Sequence, residues 1–235
     1  MTAEIMRIEG PDDVENAIKR AAEIVQGGGV IVYPTDTSYG LGCDARNAAA
    51  LKKLLDIKGR NQRPGVPLLF NDLGQCERYH EFGSLERVLV RLFWPGALTL
   101  LVKARPEVPE HMVAGLDSIA LRVPDHAVPR GISRVIDGPL VGTSANRTGG
   151  PSPFDVSVAM EQLSDEVDLY IDGGSSLVKD NSTIISVEGS EADEAPLHIK
   201  VYREGALSIE RLTESLSVDS DAIRYWSTRF ILPEM

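Results

Sequence analysis

The segment best suited to bind a small polar ligand runs from residue 144 to residue 153 and reads Ser-Ala-Asn-Arg-Thr-Gly-Gly-Pro-Ser-Pro. It follows a short apolar run, Pro139 to Val141, that predicts a buried strand. Ser144, Asn146 and Thr148 supply compact hydrogen-bonding groups on a turn, and the glycine pair permits positive φ and close backbone approach. This composition is typical of a ligand-binding loop, although an ordinary solvated turn has a similar one.

A second polar segment, residues 33–42, also follows an apolar triplet and reads Tyr-Pro-Thr-Asp-Thr-Ser-Tyr-Gly-Leu-Gly. Two such segments in one chain favour a shared ligand site over two unrelated turns. Within and just after this segment, the spacing Gly40-x-Gly42-x-x-Ala45 imitates a dinucleotide-binding fingerprint. Six residues separate it from the preceding strand, so this single match is weak.

Four cationic residues are candidates for binding phosphate or carboxylate groups. Lys58 and Arg60 lie just beyond a predicted helix, where an extended backbone would direct both to one side. Alternatively, they only complement the helix macrodipole. Arg122 ends an alternating run that starts at Ser118, and its guanidinium can bind a carboxylate through two parallel hydrogen bonds, unless it faces solvent on an edge strand. Arg203 follows a predicted strand.

Taken in order, these segments resemble the motifs of the YrdC-like family. The matching stretches are Thr35 to Gly42, Lys58 to Arg60, Pro95 to Thr99, Arg122 to Pro124, Ser144 to Ser152, Ser182 with Thr183, and Arg203 to Gly205. The resemblance covers roughly residues 10 to 208. Several spaced motifs in one order are more specific than any one of them.

The resemblance implies the best-known activity of that family, the synthesis of L-threonylcarbamoyladenylate. In this reaction the amine of threonine captures bicarbonate or CO2 as a carbamate, which then displaces pyrophosphate at the α-phosphate of ATP. Such a displacement depends on positioning and cationic stabilisation more than on covalent catalysis. The product serves the threonylcarbamoyl modification of the adenosine next to the tRNA anticodon.

The resemblance also implies roles for individual residues. The catalytic residues would be Lys58 and Arg60. The threonine-binding residues would be Thr37, Asn71, Arg122, Ser144 and Ser182. The ATP-binding residues would be Arg60, Ser118, Asn146 and Arg203.

Three positions depart from the family pattern and affect these assignments. Val66 replaces a lysine or asparagine, Asn71 stands where histidine is common, and Phe154 replaces a threonine or serine. The loop from Asn61 to Gly65 is about one residue longer, and its Arg63 could supply the missing polar contact. We expect residues 60–67 to close over ATP as a lid.

Helices and strands alternate without strict βαβ regularity. The predicted helices lie after a capping box at residues 12–15 and near 47–57, 85–93, 126–136 and 208–216. The predicted strands lie near 29–33, 66–70, 98–103, 118–123, 139–143, 168–171, 182–187 and 197–202. This order predicts an α/β fold with a twisted mixed sheet flanked by helices, and the resemblance implies a large open ligand cavity.

We expect residues 1–207 to form the catalytic domain and residues 208–235 to form a C-terminal helix and tail of the same unit. Apolar tail residues could pack on this body or on a partner: Ile223, Tyr225, Trp226, Phe230 and Ile231. The acidic loop from Gly189 to Pro196 is expected to be solvated.

Composition limits the partners and the compartment. The 235 residues carry a net charge of −11, whereas nucleic-acid binding usually requires a basic face. We therefore expect little direct tRNA binding and a hand-over of the adenylate to a downstream threonylcarbamoyl transferase complex. No apolar run approaches a membrane span, and Cys43 and Cys76 lie far apart, which predicts a cytoplasmic protein.

Metal and nucleotide motifs are weak in this sequence. The four histidines show no metal-ligand spacing, and the sequence lacks a P-loop. Magnesium would accompany ATP and keep several waters, without a tightly bound metal site. Two alternatives stay open: a nucleic-acid-binding module of the same fold without synthase activity, and a carbamoyl-adenylate enzyme for another acceptor.

Overall fold

The computed structural model describes residues 3–59, 65–113, 117–189, 197–219 and 229–233. These residues form the helices α1 (Pro11–Gln26), α2 (Ala48–Ile57), α3 (Leu73–Cys76), α4 (Ser84–Phe93), α5 (Glu110–Val113), α6 (Ala127–Val135), α7 (Val156–Leu163) and α8 (Ile209–Val218). They form the strands β1 (Glu4–Arg7), β2 (Ile31–Tyr33), β3 (Gly40–Gly42), β4 (Pro67–Leu69), β5 (Leu98–Lys103), β6 (Ser118–Arg122), β7 (Leu140–Val141), β8 (Thr143–Ser144), β9 (Leu169–Asp172), β10 (Thr183–Glu188), β11 (His198–Arg203) and β12 (Arg229–Ile231).

The strands belong to two sheets that each mix parallel and antiparallel pairs. One sheet has the order β1-β9-β2-β3-β8, and the other has the order β12-β11-β10-β5-β6-β4-β7. The predicted α/β class, with twisted mixed sheets flanked by helices, is confirmed. The difference is that the strands divide between two sheets.

The division between the sheets falls within the predicted strand at residues 139–143. β7 pairs with β4 of the larger sheet, whereas β8 pairs with β3 of the smaller one. Gly142 separates the two short strands, and a Cβ there would lie 2.4 Å from Cγ of Leu69. A residue with a side chain would not fit this close approach, so the glycine permits the chain to pass from one sheet to the other.

Each predicted helix and strand is present, and several further elements were not predicted. These are β1, β3, α3, α5, α7 and β12. α7 begins after Asp155, whose carboxylate accepts from the backbone N–H of Ser157 at 3.0 Å, a start signal that the sequence contains. The capping box of α1 lies two residues earlier than predicted: Gly10 is the N-cap, and Asp13 rather than Glu15 accepts from the backbone N–H of the N-cap residue.

Two hydrophobic clusters hold the elements together. The larger one contains residues of both sheets and of α2 and α4, and the smaller one joins α1 and α6 to β2 and β9. α8 buries Leu212 and Leu216 in the larger cluster, against which Phe230 is partly buried. The domain boundary at residue 207 stays a prediction. Residues Ile223, Tyr225, Trp226 and most of the acidic loop lie outside the described part of the chain.

Over the described ranges, the structure contains no helix with both the length and the apolar character needed to cross a membrane.

The glycines of β3 make room for a buried tyrosine. The Tyr33 ring is fully buried, and its hydroxyl donates to the backbone oxygen of Val141 at 2.6 Å. A Cβ at Gly40 would lie 2.6 Å from the ring, and a Cβ at Gly42 would lie 2.5 Å from the Val141 oxygen. Packing around Tyr33 and Val141 therefore accounts for both glycines of the Gly40-x-Gly42 spacing.

Gly42→Ala should lower the free energy of unfolding by about 1–3 kcal/mol, because the added methyl group meets a backbone carbonyl that cannot rotate away. Urea unfolding followed by circular dichroism measures this. Gly65→Ala is the matched control, since Gly65 is exposed outside the helices and strands and a Cβ there meets no atom within 4 Å. Equal stability of the two variants would contradict the packing argument.

Candidate functional site

A cavity of about 310 Å³ is lined by residues of both sheets. Five of the residues predicted for the site lie on its wall: Thr37, Arg122, Ser144, Ser182 and Arg203. These residues come from five separate segments of the chain. Polar or aromatic residues that the sequence analysis did not assign to the site also line it: Thr35, Ser38, Tyr39, Thr143, Asn181 and Tyr202.

The two polar segments of the sequence meet at this cavity. Gly40 of β3 pairs with Ser144 of β8, and the backbone N–H of Tyr39 donates to the oxygen of Pro153 at 2.8 Å. Asn181 bridges the same segments through its amide group. Its Oδ1 accepts from Ser38 Oγ at 2.9 Å, and its Nδ2 donates to Ser152 Oγ at 3.0 Å.

Strand alternation places Arg122 on the cavity wall. Ala120 and Arg122 face the cavity, whereas Ile119 and Leu121 are buried in the larger core cluster. Ser118 shares the face of Arg122 but lies about 13 Å along the strand. Its hydroxyl donates to Asp117 Oδ1 at 3.4 Å, and it does not line the cavity.

The Arg122 guanidinium is buried and held by three acceptors. Nε donates to the backbone oxygen of Gly96 at 2.9 Å, and one terminal nitrogen donates to Thr37 Oγ1 at 3.0 Å. The other terminal nitrogen donates to Asp36 Oδ1 at 2.7 Å. The sequence analysis did not assign Asp36, although it lies within a recognised motif. These contacts fix the plane of the guanidinium beside the cavity.

The hydroxyl of Thr37 is positioned by a local turn. Thr35 Oγ1 accepts from the backbone N–H of Thr37 at 3.0 Å and donates to the backbone oxygen of Ser38 at 2.7 Å. Both threonines are buried. The turn is therefore an ST turn, in which a hydroxyl replaces a backbone partner.

Ser182 and Arg203 also line the cavity and are in contact with each other. Arg203 donates from Nε and from one terminal nitrogen to the backbone oxygen of Ser182, at 3.0 and 2.8 Å. Thr99 Oγ1 donates to Ser182 Oγ at 2.9 Å. Burial lowers the pKa of Arg203, Asp180 opposes this effect, and the charge of Arg122 adds to it. Two guanidinium groups on one cavity wall, that of Arg122 buried, favour an anionic ligand.

Lys58 lies behind the cavity wall rather than on it. It is 2% exposed, and its ammonium donates to the backbone oxygens of Ser144 and Asn146 at 2.5 and 2.9 Å. Asn146 Oδ1 accepts from Ser144 Oγ at 2.6 Å, and Asn146 Nδ2 donates to the oxygen of Gly150 at 2.7 Å. Lys58 and Asn146 thus hold the loop from which Ser144 reaches the cavity.

The remaining predicted residues lie elsewhere. Asn71 donates from Nδ2 to Asp72 Oδ2 at 2.6 Å and does not line the cavity. Val66 is buried in the core, and the Phe154 ring lies 5.9 Å from Lys179 Nζ. Arg60, Arg63 and most of the predicted lid lie outside the described residues.

Metal ligands do not cluster in the described residues. Within these ranges, no group of three or more His, Cys, Asp or Glu side chains has a geometry that could hold a metal ion. The described cavity wall contains hydroxyl, amide and guanidinium groups but no carboxylate. Its chemistry is therefore that of an anion-binding site.

Two mixed sheets with a polar, cationic cavity lined by both define an α/β protein whose cavity wall suits a small anionic ligand. The chain belongs to the Sua5/YciO/YrdC family, because the family model described as "Telomere recombination" matches residues 23–205. The resemblance found in the sequence motifs is thereby confirmed.

Curated relatives cover most of the chain. A protein of Mycobacterium tuberculosis (strain CDC 1551 / Oshkosh) named "Putative threonylcarbamoyl-AMP synthase" is 34% identical over 214 residues, which are 91% of this chain and 95% of the relative. The threonylcarbamoyl-AMP synthase of Bacillus subtilis (strain 168) is 32% identical over 83% of this chain and 55% of its own length.

Solved structures agree with this assignment. Sua5 of P. abyssi, solved in complex with L-threonine, has a TM-score of 0.81 and 27% identity, over 92% of this chain and 61% of that one. The chain thus spans about three fifths of that Sua5 protein. YciO of E. coli has a TM-score of 0.74 and 28% identity, over 88% of this chain and 97% of that one.

Lys58→Met should lower the free energy of unfolding by about 1–3 kcal/mol, because buried carbonyl groups behind the wall lose their donor. Lys52→Met is the matched control, since the Lys52 side chain is 76% exposed and pairs with Asp56 on the surface. Exposed pairs contribute at most about 1 kcal/mol. Urea unfolding of both variants decides the matter, and indistinguishable midpoints would contradict the buried role of Lys58.

Proposed function

We propose that the chain is an L-threonylcarbamoyladenylate synthase, a nucleotidyltransferase that uses L-threonine, bicarbonate or CO2, and ATP. The threonine amine attacks the carbon of CO2 and loses a proton, which forms a carbamate. A carbamate oxygen then attacks the α-phosphorus of ATP, and the bond to the bridging oxygen breaks with release of pyrophosphate. The product is the mixed anhydride, threonylcarbamoyl-AMP.

One observation carries the proposal: a single cavity wall gathers the buried guanidinium of Arg122, the guanidinium of Arg203 and three predicted hydroxyl side chains from distant parts of the chain. ATP is an anion, threonine carries a carboxylate, and both have further hydrogen-bonding groups, so this wall complements them. Related proteins that bear the name of this activity cover most of the chain. The −11 charge and the burial of Arg122 favour the synthase over a nucleic-acid-binding module.

The part of the wall around Arg122 suits the carboxylate of threonine. Three of the five guanidinium N–H groups serve Gly96, Thr37 and Asp36 among the described residues, which leaves two N–H groups for a ligand. We assign the threonine subsite to Arg122 and Thr37, with Ser144 and Ser182 beside them. Asn71 belongs to this predicted set, but its side chain lies away from the cavity wall.

The ATP subsite takes its cations from the other part of the wall. Arg203 lies there, and Arg60 is assigned to it by family resemblance. Asn146, predicted to bind ATP, and Lys58, predicted to be catalytic, hold the loop that carries Ser144 of the threonine subsite and act on the cavity through that loop. Ser118, also predicted to bind ATP, lies farther along β6 and does not line the described cavity wall. Mg²⁺ would enter with the triphosphate and keep most of its waters, because the described wall offers it no carboxylate.

The adenylate would pass to a downstream threonylcarbamoyl transferase complex, so synthesis itself requires no tRNA contact. The net charge of −11 opposes binding of a polyanion near physiological salt. We place this reaction in the cytoplasm, where ATP and tRNA are both present.

Incubation with ATP, bicarbonate and L-threonine, followed by mass spectrometry, should detect threonylcarbamoyl-AMP and a matching release of pyrophosphate. Omission of threonine or of bicarbonate should abolish both products, because the carbamate is the nucleophile. Pyrophosphate release that ignores threonine, or a folded protein that releases none, would refute the synthase.

Arg122→Lys should raise the KM for threonine about 10- to 100-fold, because lysine cannot reproduce the bidentate contact. The KM for ATP should change less than threefold. Arg87→Lys is the matched control, since Arg87 is half exposed and pairs with Glu77 on the surface. Equal effects on both KM values would show that Arg122 does not belong to a threonine subsite.

Asp36→Asn should raise the KM for threonine about tenfold, because a neutral acceptor holds the Arg122 guanidinium less firmly than a carboxylate does. Asp36→Ala should have a larger effect, since it removes the acceptor. Asp44→Asn, which alters a pair with Arg46 away from the described cavity wall, is the control, because Asp44 is about as buried as Asp36. An unchanged threonine KM in Asp36→Ala would disprove the positioning role.

A further inference from the structure

A β-bulge lies where β11 passes the cavity. Ile185 of β10 is opposite Val201, whereas the preceding Ile184 is opposite Arg203, so Tyr202 has no residue opposite it. In a regular strand, Tyr202 would face the cavity, and Arg203 would face the core on the same side of the strand as Val201. The additional residue lets Tyr202 and Arg203 both line the cavity.

The ring of Tyr202 is accessible, but its orientation is constrained. The residue is 41% exposed, and its hydroxyl lies 3.4 Å from both Ser186 Oγ and Glu188 Oε1. Lys200 Nζ lies 5.2 Å from the ring centroid and 3.5 Å from Glu188 Oε1. Tyr39 also lines the cavity, but it is fully buried, and its hydroxyl donates to the backbone oxygen of Gly174. Along the described wall, Tyr202 is therefore the aromatic ring that a ligand can cover.

We propose that the Tyr202 ring is a stacking platform for the nucleobase of the bound nucleotide. The inference rests on the proposed function, in which ATP is a substrate. A nucleobase stacks on an aromatic side chain through its π-face. The neighbouring Arg203 meets the negative charge of the same molecule, so the bulge presents an aromatic and a cationic group side by side. Every nucleobase has a π-face, and this contact therefore strengthens binding without selecting one base.

Isothermal titration of the full chain with three probes tests the stacking: ATP, ribose 5-triphosphate and inorganic tripolyphosphate. Tyr202→Leu should weaken ATP binding about tenfold, in the range found for loss of a stacking side chain. The affinities of ribose 5-triphosphate and tripolyphosphate should stay within twofold of the wild type, because neither contains a base. Tyr202→Phe should retain ATP affinity within about threefold, since it keeps the ring.

Steady-state kinetics provide a second measurement. Tyr202→Leu should raise the KM for ATP about tenfold while the KM for threonine and the unfolding midpoint stay unchanged. Should the leucine variant fold poorly, Tyr202→Val replaces it, because a β-branched residue suits a strand.

Equal losses for ATP and tripolyphosphate, an unchanged ATP affinity in Tyr202→Leu, or equal damage from phenylalanine and leucine would each overturn the stacking role. A wild-type protein that binds no ATP would overturn both the stacking role and the proposed function. Loss of ATP affinity in Tyr202→Leu would support the platform even if no adenylate were formed, so the product assay and the titration separate the two failures.

Discussion

The geometry of the cavity depends on one buried ammonium group. Lys58 follows α2, and its Nζ donates to the backbone oxygens of Ser144 and Asn146. Ser144 is the last residue of β8, and Asn146 lies in the loop after it. The partner strand of β8 is β3, which forms the end of the other polar segment of the site. A buried charge or a buried carbonyl without a hydrogen-bond partner costs free energy. The end of α2, the loop after β8 and strand β3 must therefore be buried together. The lysine therefore acts on the cavity from behind it.

Much of the fold could be predicted because periodicity reflects local geometry. Apolar residues at helical spacing predicted α1, and alternation predicted β6. β3 could not be predicted, since glycines weaken a strand and Gly40 and Gly42 adopt this conformation only around the Tyr33 ring. Likewise, the change of sheet at Gly142 depends on Leu69, which lies far away in the sequence. Such long-range contacts leave no periodic signal.

A site residue could be predicted from the sequence where it lies within a recognised motif and its own side chain lines the cavity. Five of the predicted residues line the cavity, whereas Asn71 and Ser118 do not, because strand length and local capping decide where their side chains lie. Asn181 was missed because its importance depends on the two segments that it bridges. Tyr202 was missed for a similar reason, since a bulge depends on the register with β10.

The bulge also makes the position of Arg203 independent of the presence of Tyr202. Removing Tyr202 would leave a regular hairpin in which Arg203 still stands opposite Ile184 and still faces the cavity. The regular strand pairing therefore places the Arg203 guanidinium at the cavity, whereas the aromatic ring is present only because of the one additional residue in the bulge. A single codon gained or lost at this point would add or remove the ring without rebuilding the strand pair, so the two groups can evolve independently.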